Sequence, residues 1–365
     1  MKKHAKWLVN YCTSTKPGDN VLIRLGGASY AGDAEGLELA TEVFKEAGRV
    51  GAKPLILIFP GEATRSYVEQ APDGTLATTP KNYIELVKAC DVVIGIQAEK
   101  DTQYLKKIDS TRFGQFLTGV RPITDEMLKK RWTGTLHPTA AHAKDAGMSM
   151  ERYKKFVYSA MLRDWESEIK RMARLKEIMD RTSEVQVVGK DTDLSFSIKG
   201  RTTVVDDAKY NFPGGEVFTA PVDDSATGKI YFDLPSVWAG QEAKDVRLTF
   251  DKGVIVDYSA SKNESFLKDM IDTDGGSRRL GEFGIGTNRG INRFTRNILF
   301  DEKMADTIHL AIGEAYEMCG GINKSAVHWD LIKTMKPGRM IMDGKTIQDD
   351  GKFVWELNKR STAST

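Results

Sequence analysis

The sequence predicts an α/β N-terminal domain on a mostly parallel sheet, followed by an α+β C-terminal domain. Three observations carry that reading. Residues 1 to about 135 alternate short aliphatic runs with helical periods, an amphipathic stretch follows from Ser149, and beyond it short strands are punctuated by turn dipeptides. The expected limits are 1–148 for the first domain, 149–182 for a connecting helix and 183–365 for the second domain.

In chain order, Val21 to Leu25, Leu55 to Phe59 and Val92 to Ile96 are aliphatic runs without in/out alternation, which predicts strands covered on both faces. Helical periods over Glu35 to Ala47 and near Tyr83 to Ala89 separate them, so the crossovers imply parallel pairing. The segment GGASYAG after the first run has three glycines but neither the GxGxxG nor the GxxxxGK[ST] order, and it reads as a turn rather than a phosphate cradle. From Ser149, a plausible N-cap with Glu151 in the first turn, Tyr153, Phe156, Ala160, Trp165, Ile169, Met172 and Met179 recur at helical spacing towards Arg181. Strands are then expected over Val185 to Val188, Leu194 to Ile198, Ile230 to Phe232, Val246 to Phe250 and Val254 to Tyr258. Turns are expected at Asp251 to Gly253, Asp343 to Gly344 and Asp350 to Gly351.

Composition narrows the function classes. Lys plus Arg number 53 against 51 Asp plus Glu, so a net charge of +2 offers no broad field for a nucleic-acid backbone, and no nucleic-acid partner is expected. The N-terminal MKKHAKWLVNY breaks its apolar stretch after Val9, short of the roughly 7 residues of a secretory core. The longest apolar run, Leu55 to Phe59, is far below the about 18 residues that span a bilayer, so no membrane segment is expected. Cys12, Cys90 and Cys319 are odd in number and form no CxxC pair, which fits buried free thiols in a reducing cytoplasm.

The chemistry concentrates in the C-terminal half. Strand alternation in TIHLAIG sets Thr307, His309 and Ala311 opposite Ile308, Leu310 and Ile312. In SAVHWDLIK, an extended backbone puts His328 and Asp330 on one face. The local pattern exposes both histidines together with acids. A lone histidine beside aliphatics is more often a hydrogen-bonded core residue, and most carboxylates are simply solvated, so no single position decides the matter. Context adds weight: Glu216 stands at a strand entrance fixed by glycines and prolines, and Glu282 lies among Gly281, Gly284 and Gly286, which permit a tight loop near a bound group. Tyr316, seven residues after His309, could serve as an oxygen ligand, because a dication lowers the pKa of a phenol. Glu216, Glu282, His309, Tyr316, His328 and Asp330 together are too many donors for one tetrahedral zinc and suit two cations. In such a site one carboxylate bridges the ions, a bound water is activated and the second ion polarises the scissile carbonyl.

The segments GEVFTAP, LGEFGIGTN, DEKMADTIHLAIGEAYEMCGG and NKSAVHWDLI closely resemble the aminopeptidase T family of metallopeptidases. The likeness extends from KPGDNVLI through RWTGTLHPTAAHA and GRTTVVDD to IQDDGKF. The resemblance implies that the C-terminal domain carries the metal site and that the same six residues are the metal ligands. It further implies peptide substrates with a free N-terminus and a homodimer. The stretch between Tyr316 and His328 is shorter here than in better-known members, so residue preference does not transfer. Two divalent ions, Zn, Co, Mn or Mg, are the expected cofactors, with Glu282 the first candidate for general base and Glu216 the second. Glu317 is a candidate partner for the substrate α-amino group. Two alternatives stay open: a ring-cleaving dioxygenase with one Fe(II) on His309, His328 and Asp330, and a non-catalytic peptide-binding protein whose charged residues are structural.

Overall fold

The computed structural model describes residues 1–27, 30–238 and 240–361, the side chains of Ser110 and residues 358–361 apart. The strands are β1 (Asn20–Leu25), β2 (Lys53–Ile58), β3 (Val92–Gln97), β4 (Arg131–Leu136), β5 (Glu184–Gly189), β6 (Thr192–Ser197), β7 (Val204–Asp206), β8 (Asn211–Phe212), β9 (Glu216–Thr219) and β10 (Thr227–Phe232). They continue with β11 (Ser236–Trp238), β12 (Gln241–Ala243), β13 (Val246–Asp251), β14 (Val254–Ser259), β15 (Leu280–Gly286), β16 (Thr307–Gly313), β17 (His328–Thr334), β18 (Gly338–Met342), β19 (Lys345–Asp349) and β20 (Lys352–Phe353). The chain forms two compact units: one holds Met1–Arg163 with Ala208–Gly214 and Trp238–Gln241, and the other holds the rest.

The first unit is built on a five-stranded sheet of order β2-β1-β3-β4-β8, parallel throughout. The aliphatic residues of β1 and β3 are buried on both faces, which is why their pattern does not alternate. The β2 run is different. It was expected to be covered, yet it forms the sheet edge, and Leu55 is 48% exposed with Ile58 also exposed. Hydrophobicity alone does not tell a central strand from an edge one. Here Lys53 and Pro54 at its start suit an unpaired edge. Helices Gly61–Gln70 and Ser110–Leu128, the strand β4 and the short β8 complete this layer beyond the elements read from sequence. Within GGASYAG, Gly26 bridges Ala31 and Gly27 N–H donates to the Tyr30 carbonyl; Ala28 and Ser29, the middle of the expected turn, lie outside the described residues.

The single helix expected over 149–182 is two. Met150–Met161 is capped by the Ser149 hydroxyl, which accepts from Arg152 N–H, and it ends at Leu162 in a non-helical conformation. Trp165–Met179 restarts because the Asp164 carboxylate accepts from Ser167 N–H, an N-cap inside a pattern whose apolar period continues unbroken. Tyr153, Ala160, Met172 and Met179 are nevertheless buried as their spacing predicts.

Two larger antiparallel sheets of the described residues lie in the second unit, beside the two-stranded pair β11-β12. One has eight strands in the order β14-β13-β10-β6-β5-β18-β19-β20, and the other has five in the order β17-β16-β15-β9-β7. The hairpin turns at Lys252-Gly253, Asp343-Gly344 and Asp350-Gly351 place both central residues at positive φ, as tight hairpins require. One face of the five-stranded sheet carries Phe283, Trp329 and Leu331 into the core. There Phe283 meets Phe196 of the larger sheet edge to face, and the buried Lys333 ammonium donates to the Tyr231 carbonyl. The other face carries the polar cluster described below. All three cysteines are buried thiols outside any disulfide. No helix among the described residues is long and apolar enough to cross a membrane.

Candidate metal centre

The register of the five-stranded sheet explains why the candidate ligands converge. Asp330, Ala311 and Glu282 lie side by side across β17, β16 and β15. In the next row His309 lies beside Gly284, and further along Gly286, Glu216 and Asp206 align across β15, β9 and β7. Alternation along each strand sets these residues on the same face, with His328 at the head of β17, two residues before Asp330. Between the long polar side chains stand the small residues Ala311, Gly284 and Gly286.

The glycines of LGEFGIG therefore do something other than make the tight loop expected from sequence: all three belong to β15. A Cβ on Gly284 would lie 2.0 Å from His309 Nε2, and one on Gly286 would lie 2.0 Å from the Met304 carbonyl oxygen. Gly284 thus gives the imidazole its space, and Gly286 lets the Lys303–Met304 backbone lie against the sheet. His309 itself is buried, 1% exposed, where its local sequence suggested exposure; β16 is covered on both faces.

Glu282 is the hinge of the cluster. Its Oε1 lies 3.2 Å from His309 Nε2 and its Oε2 lies 3.2 Å from His328 Nε2. His309 Nε2 is also 3.3 Å from Glu216 Oε2, and His328 Nε2 is 3.8 Å from Asp330 Oδ1. Two donor sets result, Glu216 with Glu282 and His309, and Glu282 with His328 and Asp330; in each, one ligand atom per residue lies within 4.8 Å of the others. Tyr316 begins the short turn Glu317–Cys319, and its ring sits 4.9 Å from that of His328 and 5.8 Å from that of Phe218.

Two features test whether these residues suit a cation. His328 Nδ1 is 2.7 Å from the Glu314 carbonyl, which can only accept, so Nδ1 keeps its hydrogen and Nε2 is the nitrogen that would present a lone pair to a cation displacing its proton, the usual arrangement for a metal-bound imidazole. Glu216 Oε2 is buried, faces His309 and has no hydrogen bond of proper geometry, an orphaned acceptor that a cation would satisfy. The donor set fits divalent metal binding.

The electrostatics agree. Burial would raise the Glu282 carboxyl, but hydrogen bonds from His309 and His328 outweigh it and hold the group down at about 2. Burial would lower both imidazoles, yet the facing carboxylates raise His309 to about 9 and His328 to about 10. In the protein alone, protons therefore stand where cations would bind. Burial, reinforced by the same carboxylates, pushes the Tyr316 phenol well above its ordinary value, so only a nearby cation would make it an anionic ligand.

All six residues singled out from sequence lie in the second unit and belong to this one neighbourhood. Glu317 does not join it, since its side chain is 80% exposed and pairs with Lys324 at 2.7 Å. Sequence reasoning missed Asp206, Glu302 and Lys303. The Lys303 ammonium is wholly buried, 3.0 Å from Glu216 Oε1 and 3.8 Å from Asp206 Oδ2, and ion-paired with Glu302. The run Asp301-Glu302-Lys303 reads as a solvated turn; its one distinguishing signal is the position six residues before His309.

The family model described as thermophilic metalloprotease (M29) matches residues 1–354. Aminopeptidase 2 of Geobacillus stearothermophilus is 30% identical over 217 residues, 52% of this chain and 51% of that protein, so the match spans about half the length of this relative. Among solved structures, AmpT from Thermus thermophilus superposes with a TM-score of 0.82 at 21% identity, over 97% of this chain and 98% of that one. The 2,5-dihydroxypyridine dioxygenase of Pseudomonas putida KT2440 reaches a TM-score of 0.62 at 15% identity, over 97% and 96%. At these identities both structures speak to the fold alone.

Proposed function

Because the chain belongs to the thermophilic metalloprotease family M29, we propose that it is a metal-dependent aminopeptidase, which removes N-terminal residues from peptides at a dinuclear site held by Glu216, Glu282, His309, Tyr316, His328 and Asp330. The observation that carries the dinuclear reading is the shared carboxylate: each oxygen of Glu282 faces a different histidine, each histidine with its own further acid. Charge points the same way. Around the cluster, among the described residues, the carboxyl groups of Asp206, Glu216, Glu282, Glu302 and Asp330 outnumber the Lys303 ammonium and the two imidazolium rings, an acid excess that dications displacing the ring protons would offset.

When bound, the ions would supply an activated water and polarise the scissile carbonyl. The protein's own part is positional. Glu282 and Glu216 stand where a proton leaving water could be taken up, with Glu282 the first candidate for that role. His328 and Asp330, at 21% and 11%, are more exposed than Glu216, Glu282 and His309 and lie towards the side a peptide would approach. The acid excess also suits recognition of a protonated α-amine. A homodimer and a cytoplasmic location belong to the same proposal.

A single Fe(II) on His309, His328 and Asp330 would leave Glu216 and the shared Glu282 without a role. The aminopeptidase reading is tested by comparing free and N-acetylated forms of one peptide, with products identified. Acetylation removes both the lone pair and the charge of the amine, and leaving a buried recognition group unpaired costs about 1–3 kcal/mol or more, roughly a ten- to hundred-fold loss in kcat/KM. Equal cleavage of the two forms would refute an aminopeptidase.

A further inference from the structure

We propose that Lys303 is a positioning residue that pins Glu216 by Oε1, so that only Oε2 is offered to the cation at His309, and that makes this ion the more weakly held of the two. The inference rests on the dinuclear reading above.

The backbone delivers this lysine to its place. Glu216 pairs with Asp206 on one side and with Gly286 on the other, so the row across β7, β9 and β15 ends on a residue without a side chain. The Lys303–Met304 segment fills that gap: Asn288 N–H donates to the Lys303 carbonyl at 2.9 Å, and a Cβ on Gly286 would meet the Met304 carbonyl oxygen at 2.0 Å. From there the Lys303 side chain reaches Glu216 Oε1 at 3.0 Å, with Asp206 and Glu302 as its other partners.

A fully buried lysine is rare unless carboxyl groups compensate it; here Glu216, Asp206 and Glu302 surround it, and burial raises the Glu302 carboxyl itself to about 8. Its charge has two effects on the cluster. By engaging Oε1 it leaves Glu216 a one-oxygen donor, and Oε2 is the oxygen that faces His309 without a hydrogen bond. By standing against the ligand set of Glu216, Glu282 and His309, it repels a dication there more than one at Glu282, His328 and Asp330, to which no contact of Lys303 reaches. The two ions should therefore differ in affinity, with the ion beside His309 the exchangeable one.

The test is a Co(II) titration of the metal-free full-length protein, read by calorimetry and by visible absorption, for the natural chain, Lys303→Met and Glu302→Gln. The natural chain should bind two ions in separate steps. Lys303→Met, which keeps length and loses charge, should tighten the weaker step by roughly tenfold or more and change its absorption band as Glu216 gains a free oxygen. Glu302→Gln keeps the ammonium and removes a carboxyl that burial holds up at about 8, so in titrations run above that pH the weaker step should loosen several-fold. Should Lys303→Met not fold, the Glu302→Gln result decides. Two steps in the natural chain with variant affinities unchanged within twofold, or a weaker step that loosens in Lys303→Met, would overturn the role of Lys303 alone. A natural chain that binds no Co(II) would overturn the dinuclear reading and this inference with it.

Discussion

Gly284→Ala is the substitution whose effect the geometry specifies most fully. The added methyl would stand 2.0 Å from His309 Nε2 and 2.1 Å from Cε1, against 3.4–4 Å for ordinary contact, so the ring must retreat by about 1.4 Å or more. Backbone strain does not enter, because Gly284 is not in the left-handed region. The ring has little room to retreat, since it is fully buried in a central strand, and overpacking of this kind costs about 1–3 kcal/mol of stability. Metal–ligand distances lie within about 0.2 Å of their standard values, so a ring displaced this far should lose the ion while the fold survives. Disturbing a supporting contact of a ligand typically costs roughly 10–100-fold in metal affinity or activity, and loss of the ligand itself should reach the upper end. The assay is metal content after equilibrium dialysis, alongside far-UV circular dichroism and hydrolysis of an aminoacyl anilide. An alanine variant that keeps its metal and its turnover within twofold would refute the placement of His309 over Gly284.

Two further outcomes follow. Glu282→Gln keeps the shape of the shared ligand and removes its charge, so kcat should fall by roughly 10²-fold or more with circular dichroism unchanged; near-normal turnover would take Glu282 out of the site. His4 is buried in the first unit against Thr135, at 2.8 Å, and burial lowers its pKa from 6.5 to about 3. The unfolded chain therefore binds the extra proton between those values, and the associated stability, on the order of a few kcal/mol, is present above pH 6.5 and lost as pH falls towards 3. Denaturant midpoints measured across that window should fall less steeply in His4→Gln, and identical slopes would show that His4 is not buried neutral.

The legible parts of the chain are those where local pattern and tertiary outcome coincide. The β1 and β3 runs, the period of Leu37–Arg49 and the positive-φ hairpin turns are encoded within a few residues, and they appear where expected. The break at Asp164 was hidden because capping residues are common and the apolar period runs through it. The helix Ser110–Leu128 carries Pro122 within it, which reads as a stop signal in isolation. Glu216, Glu282, His309, Tyr316, His328 and Asp330 stood out through residue type and through family resemblance. What sequence could not supply was the register that makes neighbours of Gly284 and His309, or of Gly286 and Glu216, because those pairings join strands far apart in the chain. For the same reason nothing local in the sequence singles out Lys303.

Glu282, with one oxygen towards His309 and the other towards His328, is placed to join two ions. Anomalous scattering from crystals of the metal-loaded protein, recorded across the absorption edge of the added metal, tests this most directly. Two peaks per chain about 3.5–4 Å apart, one beside His309 and Glu216 and the other beside His328 and Asp330, with Glu282 between them, is the predicted result. A single peak held by His309, His328 and Asp330 together, or none at this cluster in a fully active protein, would contradict it.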